Sequence, residues 1–565
     1  MSHKSKVLIL LLILGFFLRL SYLFEFRQTP FFNASLLSGF DQHTWDDMGF
    51  KSLAHPWFVD GQPFYQAPGY AYFLSLVYLF FGAHNYLAVG IIQILLDLLT
   101  AFLLFLIGRR LWNDWVGISA CGIYVFYRPF IYYSATILSD SFILFTSVLC
   151  LFLVYWVLEE PRRPRPGTPA SCIQGQAYWG RLRRWFLAGL GFGLAAITKP
   201  TILLFLFFAF LAFVLSKSYD GDPNVRLGKG PRIPAHPPSV IPACFRRESN
   251  RFPLRTGFLR VPYHQGRENL SFLPVFFAFV LGFLLLVLPI AIRNSLLAGK
   301  FVTIATYGSV NWKIGNSADS LGLFMYPKGP LLSPDSFAFW KILGKKTFFF
   351  FSSYEWPQNL NIYLLTAITH TLNLPLFAFG LVVPLGLVGL FVNWDRRRCY
   401  LHLYTLANVL SIIAFFITSR YRLPAVAGFI LLACGYLYFL VEKVAKLRTP
   451  AETKSSIPHV VIPVCSKQES IGFPLTPCGN DKQYLSPAKD LAAILISLFF
   501  VTIFSFVLVN SWSGDRIGAV HAKNYVLLTT KNIDYDLRAG RPDLAQKKAD
   551  ACRAFLMRYQ SRQIR

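Results

Sequence analysis

The sequence predicts an all-α polytopic membrane protein, and two observations carry that prediction. Hydrophobic residues make up 54% of the 565 positions, with 56 Phe, while charged residues are only 15%, against roughly a quarter in soluble chains. The apolar residues are also gathered into runs long enough, or nearly so, to cross ~30 Å of hydrocarbon as helices. The formal net charge of +27 would suit nucleic acid if Lys and Arg shared one polar domain. Many instead lie in short runs between apolar stretches, which positive-inside topology and anionic lipid explain, so no nucleic-acid partner is expected.

In chain order, apolar runs start near Val7, Tyr86, Val116, Ser141, Trp185, Thr201, Phe272, Leu374, Tyr400, Ala425 and Leu491, about eleven spans. The first, residues 1–24, has Lys4 and Lys6 ahead of it as a signal peptide would. Bulky Leu23, Phe24, Glu25 and Phe26 leave no small-residue cleavage site, so it reads as a retained helix. Residues 25–84 are the first outer loop. Within them Pro68 to Gly82 is apolar but short and is assigned to the interface, because counting it as a span would put Gly108-Arg109-Arg110 outside.

Residues 85–216 then hold helices two to six, 217–270 a basic cytoplasmic insertion, 271–296 helix seven, and 297–370 a second outer loop. Helices eight to ten occupy 371–447, a second insertion 448–488, helix eleven 489–512, and an outer tail 513–565. The charge is sided accordingly. Arg109, Arg110, Arg181, Arg183, Arg184, the run Arg396-Arg397-Arg398, Lys443 and Lys446 fall inside, whereas the first outer loop has Asp41, Asp46, Asp47 and Asp60 against Arg27 and Lys51. Both insertions are rich in Pro, Ser, Gly and basic residues without apolar periodicity and read as solvated linkers. Of nine Cys, this topology leaves only Cys552 in an oxidising space, so no disulfide framework is expected.

The tail alternates as helix, turn, helix around Gly540, Arg541 and Pro542, like one tetratricopeptide-type hairpin. A single unit cannot bury its own face, so it needs a protein partner or must lie against the membrane domain.

Candidate chemistry sits in the outer segments. Asp41, directly after helix one, can take a proton from a hydroxyl while that oxygen attacks an anomeric carbon; the plainer reading is a solvated acidic loop with a helix N-cap. Asp140, at the outer start of the fourth helix, either caps that helix or orients an acceptor or a metal. Lys199, Arg293, Arg420 and Arg422 share the same predicted depth. They suit a phosphate leaving group, or they reach to lipid headgroups. Tyr65, Gln66, Asn311, Asn316, Tyr354, Glu355 and Asn359 offer rings and amides for sugar hydroxyls, or form an interfacial aromatic belt. No P-loop or dinucleotide fingerprint follows a predicted strand, so a nucleotide-driven reaction has no support.

Together these segments resemble the GT-C class of integral-membrane glycosyltransferases, in the branch of protein O-mannosyltransferases and the bacterial lipid A aminoarabinose transferase, a bacterial family 39-like group. The resemblance runs through Asp41, Phe64 to Tyr70, Phe80-Phe81-Gly82, Gly108 to Leu111, Ser139-Asp140 and Thr198-Lys199-Pro200, then Asn311 to Asn316, Tyr354 to Asn359 and Ser419 to Pro424. It implies a GT-C-type helix bundle with juxtamembrane helices in the first outer loop. It also implies a bacterial inner-membrane enzyme that uses a polyprenyl-phosphate sugar, transfers to a glycan, lipid or protein hydroxyl on the periplasmic side, and inverts the anomeric carbon. Asp41 takes the place of the essential first-loop acid, with Gln42 where the family often has Glu. Gln66 and Ala67 stand where aminoarabinose transferases carry an acid and a Lys, so that substrate and its metal site do not carry over. The resemblance requires no cofactor, and a divalent metal at the acids stays open. A lipid or polysaccharide transporter and a non-catalytic scaffold remain the competing readings; a transporter would place ionisable groups at mid-membrane, whereas here most fall near span ends.

Overall fold

The computed structural model describes residues 2–159, 170–220, 272–448, 487–510 and 519–563, apart from positions 56, 58, 393, 396 and 539. The two basic insertions lie outside the described residues except at their edges. All named elements are helical, in agreement with the predicted class. Each of the eleven apolar runs forms one helix: α1 (His3–Arg27), α4 (Tyr86–Leu111), α5 (Asp114–Val125), α7 (Asp140–Leu158), α8 (Ala170–Thr198), α9 (Ile202–Asp220), α10 (Phe272–Ala298), α14 (Phe379–Val392), α15 (Cys399–Ala414), α16 (Ser419–Arg448) and α17 (Pro487–Asn510). Among the described residues, five are long and apolar enough to cross a membrane by themselves: α1, α4, α7, α10 and α16.

Between α1 and α4 the chain forms α2 (Asp41–Ala54) and α3 (Gly69–Phe81), the juxtamembrane helices that the first loop was expected to hold. With 13 residues, α3 is about 20 Å long at 1.5 Å per residue. That is well short of ~30 Å of hydrocarbon, as is the 12-residue α5, so length alone does not tell an interfacial helix from a span. The remaining short helices are α6 (Arg128–Ser134), α11 (Gly308–Asn316), α12 (Phe337–Phe351) and α13 (Ile362–Ile368).

Packing in the bundle uses two devices. Helices α8 and α10 approach so closely that a Cβ on Gly189 would lie 2.0 Å from the Phe279 carbonyl oxygen. Small residues permit such backbone contact where lipid provides no hydrophobic drive for helix association. Helices α1, α4 and α5 are joined by a fully buried ion pair, Arg19 with Asp97. Asp97 also accepts from the Tyr124 hydroxyl at 2.6 Å, and Arg19 donates to the Val125 carbonyl at 2.9 Å. This pair departs from the expected placement of ionisable groups near span ends. Its atoms face each other across three helices, which is how charge is tolerated in a low-dielectric interior.

The tail forms α18 (Ala519–Arg538) and α19 (Pro542–Gln563), with Gly540 at φ +68° in the turn between them. Buried Asp536 joins the two helices by accepting from Arg541 at 2.8 Å and from Lys548. Of the two outcomes open to a lone hairpin, the structure shows the second: α18 lies against the membrane domain, with Leu528 fully buried there.

Candidate active site

One end of the bundle gathers the starts of α2, α7, α9, α11 and α16 around a cleft of about 260 Å³. Each helix start presents the positive end of a macrodipole, so this end attracts anions. Two carboxylates answer that field. Asp41 is the first residue of α2 and Asp140 the first of α7.

Arg420, in the first turn of α16, lies between them. Its Nη1 donates to Asp41 Oδ2 at 2.6 Å and its Nε to Asp140 Oδ1 at 3.0 Å. Arg420 and Asp140 are buried, while the Asp41 side chain is 26% exposed and so remains reachable by a solute. Asn359 fixes Asp41 from the other side. Its Nδ2 donates to Asp41 Oδ2 at 2.8 Å, and its Oδ1 accepts the Asp41 N–H at 3.2 Å. Asn359 holds φ at +62°, a left-handed conformation that Asn tolerates better than most residues. With Oδ2 taken twice, Asp41 Oδ1 keeps no protein partner among the described residues.

Lys199 lies in the turn between α8 and α9, its ammonium 3.4 Å from the centre of the Tyr421 ring. Desolvation first, and the Arg420 charge second, lower its pKa to about 7. Gln66 and Ala67 reach the same wall because α3 begins against the end of α8, where a Cβ on Gly69 would fall 2.5 Å from Thr198 Oγ1. Among the described residues, the indole N–H of Trp45 and three acceptors of the lining are buried without a partner, the acceptors being Asp140 Oδ2, Asn311 Oδ1 and Gln358 Oε1. Buried acceptors are almost always satisfied, so these three call for donors such as sugar hydroxyls.

The predicted site residues therefore divide. Asp41, Asp140, Lys199, Arg420, Gln66 and Asn311 line the cleft. Asn359 binds Asp41, and Tyr65 packs its ring 4.4 Å from that of the cleft residue Tyr307. The others are placed elsewhere. Arg422 donates to the carbonyls of Phe350, Ser352 and Tyr354 and to Glu355, and stacks on Phe379, so its donors tie the 350–355 segment to α16. Glu355 is thereby engaged too. Arg293 donates to the carbonyls of Trp57 and Val59 and covers Phe64, anchoring the first loop to α10. Asn316 is buried, bonded to the Trp312 and Ala414 carbonyls and to the Lys346 ammonium. Tyr354 is buried against Tyr363 and Trp356. Both arginines share the depth of the site but not its space, and depth was all that hydropathy supplied.

Gln358 and Tyr307, from the 354–359 and 307–316 stretches, also line the cleft, as do Asn408, Ser411, Thr146 and Ser147, which were not singled out in the sequence. The available signal was polar residues inside apolar runs: Thr146 and Ser147 in α7, and Asn408 and Ser411 three positions apart on one side of α15. A divalent metal fits this arrangement poorly. The Arg420 guanidinium stands between the two acids, and no group of three or more His, Cys, Asp or Glu that could hold an ion occurs among the described residues.

Residues 65–221, which include Gln66, Asp140 and Lys199, match the family model of dolichyl-phosphate-mannose-protein mannosyltransferases. Among solved structures, the Archaeoglobus fulgidus oligosaccharyltransferase in the apo form is similar at 13% identity and TM-score 0.39, over 90% of this chain and 56% of that one. The archaeal oligosaccharyltransferase AglB from Archaeoglobus fulgidus, in complex with an inhibitory peptide and a dolichol-phosphate, is similar at 13% identity and TM-score 0.41, over the same shares. The chain spans little more than half the length of these structures. No curated protein sequence matches it. The likeness to membrane mannosyltransferases is carried by the matched segment, which lies within an all-helical architecture.

Proposed function

We propose that this chain transfers a sugar from a polyprenyl-phosphate donor to a hydroxyl acceptor at the periplasmic face of a bacterial inner membrane. The observation that carries the reading is Arg420 bridging Asp41 and Asp140 in a cleft whose remaining buried acceptors lack partners.

Asp41 Oδ1 takes the proton of the acceptor hydroxyl as that oxygen bonds to the anomeric carbon. The bond from that carbon to the phosphate oxygen breaks on the opposite face, which inverts the centre, and polyprenyl phosphate departs with the bond's electron pair. The developing charge meets Arg420, Lys199 and the helix starts, where fixed donors in a site of low dielectric act most strongly. Asp140, Asn311 and Gln358 accept from sugar hydroxyls. Arg422 and Arg293 take no part, since neither lines the cleft and their Nη donors are engaged elsewhere.

The test is purified protein in lipid vesicles with radiolabelled polyprenyl-phosphate mannose and an extract of envelope glycans as acceptor. Donor consumption by the native protein and its loss in a folded Asp41→Asn variant are expected. Undiminished consumption in that variant would remove Asp41 as the base. Failure of the native protein to consume any polyprenyl-phosphate hexose would return the transporter or scaffold reading.

A further inference from the structure

The base candidate is not held by the membrane domain alone. Helix α18 of the tail crosses beside the cleft and touches both residues that flank Asp41 in space. Asn524 Nδ2 donates to the Asn359 carbonyl at 3.0 Å. Two helical turns further on, the Lys531 ammonium lies 5.0 Å from the centre of the Phe40 ring, and Phe40 is the N-cap of α2 directly before Asp41. Positions 524, 528 and 531 share one face of a helix, and Leu528 between the two contacts is fully buried in the main core. An adjoining face, with Asn532 and Asp536, is committed to α19 through Lys548. Both faces of α18 are therefore engaged within the chain.

Asn359 benefits from such support. It holds a left-handed backbone, which costs less in Asn than in most residues but still gains from a bonded carbonyl. Its carbonyl is tied by Asn524 while its side chain makes both bonds to Asp41. We infer that the tail is a positioning element of the active site: Asn524, acting through Asn359, and Lys531, acting through Phe40, set the orientation of the Asp41 carboxylate. The inference rests on the proposed role of Asp41, but its geometric part stands apart from that role. A tail hairpin that completes the site also makes transfer sensitive to anything that lifts α18.

The experiment uses the full chain in vesicles and reads two quantities. The first is amide hydrogen exchange of the peptide carrying Asp41, whose N–H is bonded to Asn359. The second is turnover of polyprenyl-phosphate mannose. Asn524→Ala and Asn524→Asp both lack the donor to Asn359. Each should speed exchange at Asp41 about tenfold and lower kcat about five- to tenfold, the scale of one lost hydrogen bond, with KM for the lipid unchanged. In an Asn359→Ala background, Asn524→Ala should add nothing further. Asn532→Ala, which loosens the α18–α19 face only, should leave exchange at Asp41 unaltered.

Unchanged exchange in Asn524→Ala, fully additive effects with Asn359→Ala, or an equal response to Asn532→Ala would each overturn the inference. Full activity of Asp41→Asn would instead remove the base assignment and leave the exchange result standing, so the two failures are distinguishable.

Discussion

Arg420 Nη1 and Asp41 Oδ2 meet at 2.6 Å although 379 positions separate the two residues in the chain. The contact joins the start of α16 to the start of α2, and the same guanidinium holds Asp140 at the start of α7. Two acids, one bidentate cation and Lys199 beside them nearly balance in charge, and that permits Asp140 to be ionised where water barely reaches.

Replacing Arg420 should therefore cost both stability and activity. Arg420→Ala leaves buried Asp140 without a counter-charge, a loss of about 3–5 kcal/mol. A lowered unfolding temperature in detergent would report it. Arg420→Lys keeps the charge but lacks the planar fork that reaches two carboxylates, so it should fold and transfer about 10- to 100-fold more slowly. Native rates in Arg420→Lys would show that bidentate geometry is not used.

Arg422 and Arg293 should behave differently from Arg420. Each is buried with its donors on backbone carbonyls, so Ala at either position strands several acceptors at about 1–3 kcal/mol apiece. Reduced yield and thermal stability are expected, with KM for the lipid donor unchanged in the protein that folds. A selective rise in that KM would return these residues to the phosphate site.

The rate should depend on pH through Lys199. Its pKa is lowered to about 7, so the cation is present below that pH and is lost above it. If Lys199 meets the leaving phosphate, kcat falls as pH rises through about 7. Lys199→Arg, which stays protonated, should remove that alkaline limb. A limb that persists unchanged in Lys199→Arg would belong to another group.

Gly69 offers a purely geometric check. A side chain there would enter the space of Thr198 Oγ1, 2.5 Å from the Cβ position, and force α3 away from α8. Gly69→Val should destabilise by about 1–3 kcal/mol and displace Gln66 from the cleft, read as a thermal shift and a raised KM. Native-like values would mean that α3 moves freely.

Much of the fold was legible because membrane helices are announced by local composition. The eleven runs, the shortness of α3 and the turn at Gly540 all follow from hydropathy, length or backbone freedom within a few residues. Asp140, Lys199 and Arg420 were also within reach, since each is a charged residue at the end of an apolar run, and Asp41 stands out in the acidic loop that follows the first run. Arg293 and Arg422 carry the same local signal and answer to a different cause. A guanidinium that binds backbone carbonyls cannot be told from one that waits for phosphate until the carbonyls are placed. The pair Arg19 with Asp97 was hidden for a related reason: each looks costly alone inside a span, and only their contact offsets the cost.

By itself the sequence determined the all-helical class, the apolar helices and their order, and which charges stand near their ends. Those properties depend on solvation of contiguous segments, which is written residue by residue. Only tertiary structure decided which of those charges face one another: that Arg420 bridges Asp41 and Asp140, that Arg422 looks inward, and that α18 reaches Asn359. Pairing depends on the angle and rotation of each helix in the bundle, and these are set by close packing between segments hundreds of positions apart.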